Sequence, residues 1–349
     1  GWYILGKQVS TFEQNFANFI GARYAIGVAN GTDAVELCLR VLEIGKNDAV
    51  FTVSHTAVAT ISGIERSGAT PVLVDIDQDT YTMDPQSLEE AIQEENRKGL
   101  LKPSAIVLVH LYGHPADITA IKSIADKYNL RLIEDCAQAH GAQYNGQTVG
   151  TFGDMAAFSF YPTKNLGAFG DGGAVITNNR AFAEKAKALR EYGWTERYIS
   201  TYSGINSRLD ELQAAILNVR LKMLGDENEK RRKIADKYNA ILKSKNDIIF
   251  PKEKSNCKHV YHLYVLRMNQ RDAFREYMNQ NQIGTAVHYP YPIHLQAAYK
   301  NRIQLSPGGL PKTEDISKKI VSLPMYPQLD DIEIDRVLDA LDKWDYRGN

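Results

Sequence analysis

Seven short apolar runs, most of them followed by a stretch with helical spacing, constrain this chain more than any other feature. They are Tyr24–Val28, Ala49–Val53, Pro71–Asp75, Ala105–Val109, Arg131–Asp135, Ala156–Phe160 and Gly173–Thr177. A run such as Ala105-Ile106-Val107-Leu108-Val109 lacks polar alternation, so both faces of that strand must be covered. Helices supply the cover, and strand–helix alternation demands crossover connections. The expectation is an α/β fold with a mostly parallel seven-stranded sheet between helices. Asp84-Pro85 offers an N-cap and a first-turn proline, after which Leu88, Ala91 and Ile92 share one face. Leu209, Leu212, Ile216 and Val219 repeat that spacing and predict a second amphipathic helix.

The texture changes near Asp226. A charged stretch, Asp226 to Lys233, reads as the solvated face of a connecting helix, on which Ile234, Tyr238 and Ile241 recur at helical spacing. Beyond it lie one strand candidate, Tyr261–Arg267, and helix candidates near Asp272–Asn281 and Ile332–Trp344. With 349 residues the chain has room for about two domains. The expected division is a large α/β domain over 1–225 and a smaller α+β domain over 226–349. Lys and Arg total 41 against 42 Asp and Glu, so no global positive field exists to gather nucleic acid or anionic lipid. A small-molecule ligand fits better. Cys38, Cys136 and Cys257 are odd in number and widely spaced, which suits a reducing cytoplasm rather than a disulfide framework. No apolar run reaches the roughly 18 residues of a membrane span, and no secretory pattern is read at the start.

Three features carry chemistry when taken together. Gly27-Val-Ala-Asn-Gly31-Thr32 is a strand end turning into a helix, where unpaired N–H groups and a hydroxyl can hold a phosphate. Asp135 ends an apolar strand, on the side of an open sheet where ligands bind, and a buried carboxylate there needs a cationic partner. Lys164 follows the apolar run Ala156–Phe160 and precedes the glycine-rich Gly167–Gly173; burial would lower its pKa and free its amine for Schiff-base formation. Each has an ordinary reading too: a plain corner, an N-cap or surface ion pair, a surface lysine. As a set they are the three anchors that pyridoxal phosphate requires.

The same residues resemble the sugar aminotransferases of the DegT/DnrJ/EryC1/StrS family. The likeness runs from Gly1-Trp-Tyr-Ile-Leu-Gly6 through Glu134-Asp135-Cys-Ala-Gln138-Ala-His140-Gly141 and Gly204-Ile-Asn206-Ser-Arg-Leu-Asp-Glu-Leu-Gln213 to His288-Tyr289-Pro290. It implies the fold type I architecture of aspartate aminotransferase, with Lys164 bonded covalently to pyridoxal 5'-phosphate and shuttling protons. By the same resemblance Asp135 pairs with the pyridine nitrogen and Gln138 contacts the ring hydroxyl. Gly31, Thr32 and Ser159 bind phosphate, and Asn206 reaches the phosphate of the other subunit, which implies a homodimer with shared sites. Tyr3, His288 and Tyr289 are substrate-side candidates. The implied reaction moves an amino group from L-glutamate to a nucleotide-linked keto sugar. The Lys164 segment is most like members acting at C3 of dTDP-linked 6-deoxyhexoses. Amination at C4, a sugar dehydratase and a non-catalytic cofactor-binding module are the alternatives. One departure stands out: Ala57 follows Ser54-His55-Thr56 where the family commonly has an aromatic residue over the ring. That leaves His55 as either a stacking partner or a structural hydrogen bonder.

No metal site is expected. His110 and His114 have i, i+4 spacing, but Gly113 and Pro115 oppose a helix there, and Cys136 with His140 lacks further ligands.

Overall fold

The structure, a computed structural model, describes residues 2–345. Helix α1 (Lys7–Ile20) leads into β1 (Tyr24–Val28), α2 (Gly31–Val41), β2 (Asp48–Val53), α3 (Val58–Ser67), β3 (Thr70–Val74), α4 (Pro85–Lys98) and β4 (Lys102–Val109). There follow α5 (Ile118–Lys127), β5 (Arg131–Asp135), β6 (Met155–Ser159), β7 (Gly173–Thr177) and α6 (Arg180–Leu189). The order across the main sheet is β1-β7-β6-β5-β4-β2-β3. Only β7 runs against its neighbours β1 and β6, and the other pairings are parallel. Both faces are covered: Phe51, Ile106, Leu108, Leu132 and Phe158 point into one apolar cluster, Val50, Val107, Ile133 and Met155 into the other. This two-sided burial is what the unbroken apolar runs require.

All seven expected strands are present, most within a residue of their expected ends. β4 begins three residues early, because Lys102 and Pro103 pair with Asp48 and Ala49 ahead of a register shift.

The second half adds α7 (Glu211–Arg220), α8 (Leu224–Leu242), β8 (Tyr264–Arg267), α9 (Arg271–Gln280), β9 (Gln304–Leu305), α10 (Pro311–Ser317), β10 (Ile320–Leu323) and α11 (Asp331–Lys343). Here the sheet gains an eighth strand: β9 pairs parallel to β3 at the edge. Its two residues are too few to leave a periodic signal. β8 and β10 form an antiparallel pair, and Ile234, Tyr238, Phe274, Val321 and Leu341 share a separate cluster around it. β8 starts at Tyr264, not Tyr261, because Val260 and Leu263 give their amides to the carbonyls of Gly113 and Tyr112.

Two expectations about helical faces are corrected. Of the expected stripe, Leu209 precedes α7 and is buried, but on the helix Leu212 and Val219 are 70% and 62% exposed, while Ala214 and Leu217 face inward. α7 is held through Glu211, whose carboxylate accepts the amides of Gly6, Gln8 and Val9 at 2.9–3.0 Å. That contact caps α1, which has no side-chain cap of its own. The charged start of α8 is mostly solvated, yet Asn228 and Arg231 are buried. Among the described residues no helix is long and apolar enough to cross a membrane.

Candidate active site

The carboxyl ends of β1, β5 and β6 meet at one cavity of about 230 Å³. At the first, Asn30 caps α2, its side chain accepting the Asp33 amide at 2.8 Å. That leaves the opening amides of α2 and the Thr32 hydroxyl at the cavity wall, where helix starts attract anions. Ser159 closes the corner from β6, its oxygen accepting the Tyr161 amide at 3.3 Å, so its own proton is available to a ligand. The absence of a side chain on Gly31 makes the corner: a Cβ there would lie 2.6 Å from the Cβ of Ser159. Ser207 braces the turn from behind, donating to Asp33 at 2.7 Å and accepting the Ala29 amide at 3.1 Å.

Asp135 is 6% exposed at the end of β5. It accepts from the Thr60 hydroxyl at 2.8 Å and the Ala137 amide at 3.1 Å. Among the described residues no Lys, Arg or His forms an ion pair with it, so a buried carboxylate faces the cavity with neutral donors only. Such a charge calls for a cation within the cavity.

Lys164 enters from the loop after β6. Asn165 pins that loop, donating to Asn228 at 2.8 Å and to the Val260 carbonyl at 3.1 Å and bonding His262 at 3.1 Å. Gly167 lets the loop fold tightly, since a Cβ there would lie 2.4 Å from the Pro162 carbonyl oxygen. Burial lowers the Lys164 pKa to about 8, with the Asp135 charge opposing the shift. The amine is therefore part neutral near physiological pH and nucleophilic.

A second cavity of about 540 Å³ adjoins the first and shares Lys164 and Tyr161 with it. His288 and Tyr289 line it, and Gln138 joins the two spaces: its amide nitrogen donates to the Tyr289 hydroxyl at 2.9 Å, while its oxygen accepts the Tyr112 amide at 2.8 Å. Burial pushes Tyr289 up to about 12, so its proton stays in place and can be donated. A phosphate corner, an unpaired carboxylate and an activated amine around one cavity fit pyridoxal phosphate.

Residues 1–342 match the DegT/DnrJ/EryC1/StrS aminotransferase family. The chain belongs to that family. It is 48% identical over 347 residues, 99% of this chain and 92% of the relative, to the dTDP-3-amino-3,6-dideoxy-alpha-D-galactopyranose transaminase of Aneurinibacillus thermoaerophilus. The crystal structure of DesV from S. venezuelae in complex with a ketimine intermediate superposes with a TM-score of 0.94 at 41% identity, covering 100% of this chain and 92% of that one. The structure of ntda from Bacillus subtilis with bound cofactor PMP gives a TM-score of 0.87 at 31% identity, covering 97% and 77%.

In this aminotransferase the cavity gathers Gly31, Thr32, Asp135, Gln138, Ser159 and Lys164. It does not gather Tyr3 or Asn206: Tyr3 is 80% exposed, Asn206 is exposed, and neither lines either cavity of its own chain. Ala57 does line the first cavity, but His55 does not. His55 is buried, bonds the Tyr112 hydroxyl through Nε2 at 2.7 Å, and packs edge-on against Tyr81 and Tyr112. It takes the structural role.

His110, Glu134 and Cys136 bring possible ligand atoms within 4.8 Å of one another. The His110 and Glu134 atoms are otherwise engaged. His110 accepts the Ala116 amide at 3.0 Å and bonds Glu134 at 3.1 Å, and Glu134 takes the amides of Gly150, Phe152 and Gly153. The sequence reading missed Thr60, Asn165, Tyr112 and Tyr161. Asn165 sits beside Lys164 in sequence, whereas Thr60 lies 75 residues from the carboxylate it supports, with no local signal.

Proposed function

We propose that this aminotransferase moves an amino group from L-glutamate to the C3 keto group of a dTDP-linked 6-deoxyhexose, using pyridoxal 5'-phosphate. The observation that carries the reading is Lys164, with its lowered pKa, in one cavity with the unpaired Asp135. The dTDP-3-amino sugar named for the 48% identical relative supports the acceptor. Gly31, Thr32 and Ser159 would hold the phosphate, Asp135 the ring nitrogen in its protonated state, and Gln138 the ring hydroxyl. The bound group supplies an aldehyde to carry nitrogen and a ring that withdraws electrons from the reacting carbon.

The chain's own part is proton control. Lys164 Nζ, neutral in a useful fraction, takes the proton from the donor's α-carbon and delivers it to the cofactor side, a transfer worth about 10²–10⁴ in rate. Tyr289 keeps its proton and presents a donor in the second cavity, which Lys164 also lines. His288, its pKa lowered by burial and then by Lys164, offers a neutral imidazole braced by Ser322 at 2.8 Å.

The working unit in this reading is a homodimer with Asn206 reaching the partner's phosphate corner. Support comes from an apolar outer surface that a lone chain would leave wet. Trp2, Phe169 and Leu212 are 78%, 76% and 70% exposed. Their segments touch through Gly6 on Glu211 and Phe169 on Gln213. The three cysteines are free and buried, which suits the cytoplasm.

Incubation with glutamate and a panel of 3-keto and 4-keto nucleotide sugars tests the assignment. A 3-amino dTDP sugar with stoichiometric 2-oxoglutarate is expected. Nitrogen at C4 by NMR overturns the regiochemistry, and absence of 2-oxoglutarate with every acceptor overturns transamination.

A further inference from the structure

The second cavity, about 540 Å³, is within the size of a small-molecule site and larger than the cofactor-sized space beside it. Its lining is one-sided in charge. Lys164, Arg220 and Arg231 contribute cationic groups and His262 and His288 imidazoles, while among the described residues no Asp or Glu lines it.

Arg231 explains how a cation is kept there. It is 6% exposed, the buried charge in the otherwise mostly solvated run at the start of α8. Its guanidinium donates to the carbonyls of Tyr261, His262 and Met325 at 3.2, 3.5 and 2.7 Å. Carbonyls fix a guanidinium in place without cancelling its charge. Burial lowers its pKa to about 10, which leaves it protonated at neutral pH. Arg220, the last residue of α7, donates to the Gly167 carbonyl at 2.8 Å. The nearest carboxylate, Glu227, is 3.8 Å from Arg220, lies outside the lining, and also accepts from Gln328 at 3.4 Å. Two guanidiniums with at most one loose counter-charge remain beside the reactive amine, in a space a buried charge does not favour unless an anion enters.

We propose that Arg220 and Arg231 form an oxyanion subsite of the second cavity, holding a carboxylate or phosphate of the substrate while its reacting carbon meets Lys164. This rests on the transaminase reading above. Two substrate groups share the chemistry, the carboxylates of the amino donor and the diphosphate of the nucleotide sugar.

Calorimetric titration of 2-oxoglutarate, and separately of dTDP, into the pyridoxal phosphate form, which has no amine to transfer to either, distinguishes them. Arg220→Ala should weaken one of the two on the order of 10- to 100-fold, as loss of a charged hydrogen bond does, with cofactor affinity unchanged. Arg220→Lys should recover part of that loss, because charge is kept. Arg231→Lys gives an independent reading at the buried position; Arg220, about a quarter exposed, serves where that variant does not fold. A 2-oxoglutarate effect assigns the donor, and a dTDP effect assigns the nucleotide. Wild-type dissociation constants for both ligands in Arg220→Ala, in an enzyme that still transaminates, overturn the subsite alone. Failure of the wild-type protein to bind either ligand or to transaminate overturns the functional reading as well.

Discussion

Gly31 and Ser159 oppose each other so closely that an added Cβ on the glycine would lie 2.6 Å from the serine Cβ. The start of α2 and the end of β6 are thereby fixed as two walls of one anion corner. Gly31→Ala must force them apart. It should lower pyridoxal phosphate affinity tenfold or more and cost about 1–3 kcal/mol of stability, as overpacking does. Fluorescence titration and thermal melting check it; unchanged cofactor affinity would remove the phosphate from this corner.

Asp135→Asn keeps an acceptor for Thr60 but removes the charge. Turnover should fall by about 10²–10³, the range for loss of one electrostatic stabiliser. Burial lowers the Lys164 pKa to about 8 and Asp135 opposes that shift, so the variant's lysine should titrate lower still. The free amine is the reactive form. Pyridoxal phosphate capture by apo-protein should therefore speed up as pH rises, level off above about 8 in the wild type, and level off at lower pH in the variant. Identical capture profiles would mean that Asp135 exerts no field at Lys164.

The backbone plan was legible because two-sided burial writes itself into apolar runs, and Asp135 and Lys164 could be placed because each ends or follows such a run. Elements defined by partners distant in sequence were hidden. β9 is two residues long and exists through β3. Thr60 matters only through Asp135. The α7 stripe misled because periodicity reports an apolar face without saying what covers it, and in the single chain Leu212 and Val219 face outward. Likewise Arg231 sat within a charge run whose average character is solvated.

His55 lies behind the cavity wall, bonded to Tyr112. His55→Ala should cost about 2–4 kcal/mol from lost packing and a lost hydrogen bond. Cofactor affinity should change no more than about threefold, since no ring contact is removed. A collapse of affinity with stability intact would instead make His55 the stacking residue.

Asn206 is exposed and absent from its own chain's cavity. If it serves the partner's site, Lys164→Ala and Asn206→Ala chains complement each other. Coexpression in equal amounts should restore about a quarter of wild-type activity, because half the dimers are mixed and one of their two sites is intact. No recovery above the separate variants would place Asn206 in its own chain's site or in none.

The covalent anchor is the centre of the account. Borohydride reduction of the holoenzyme, followed by digestion and mass spectrometry, should find the pyridoxyl group on the peptide containing Lys164 and nowhere else. Labelling of a different lysine, or an unlabelled protein that still forms amino sugar, would contradict it.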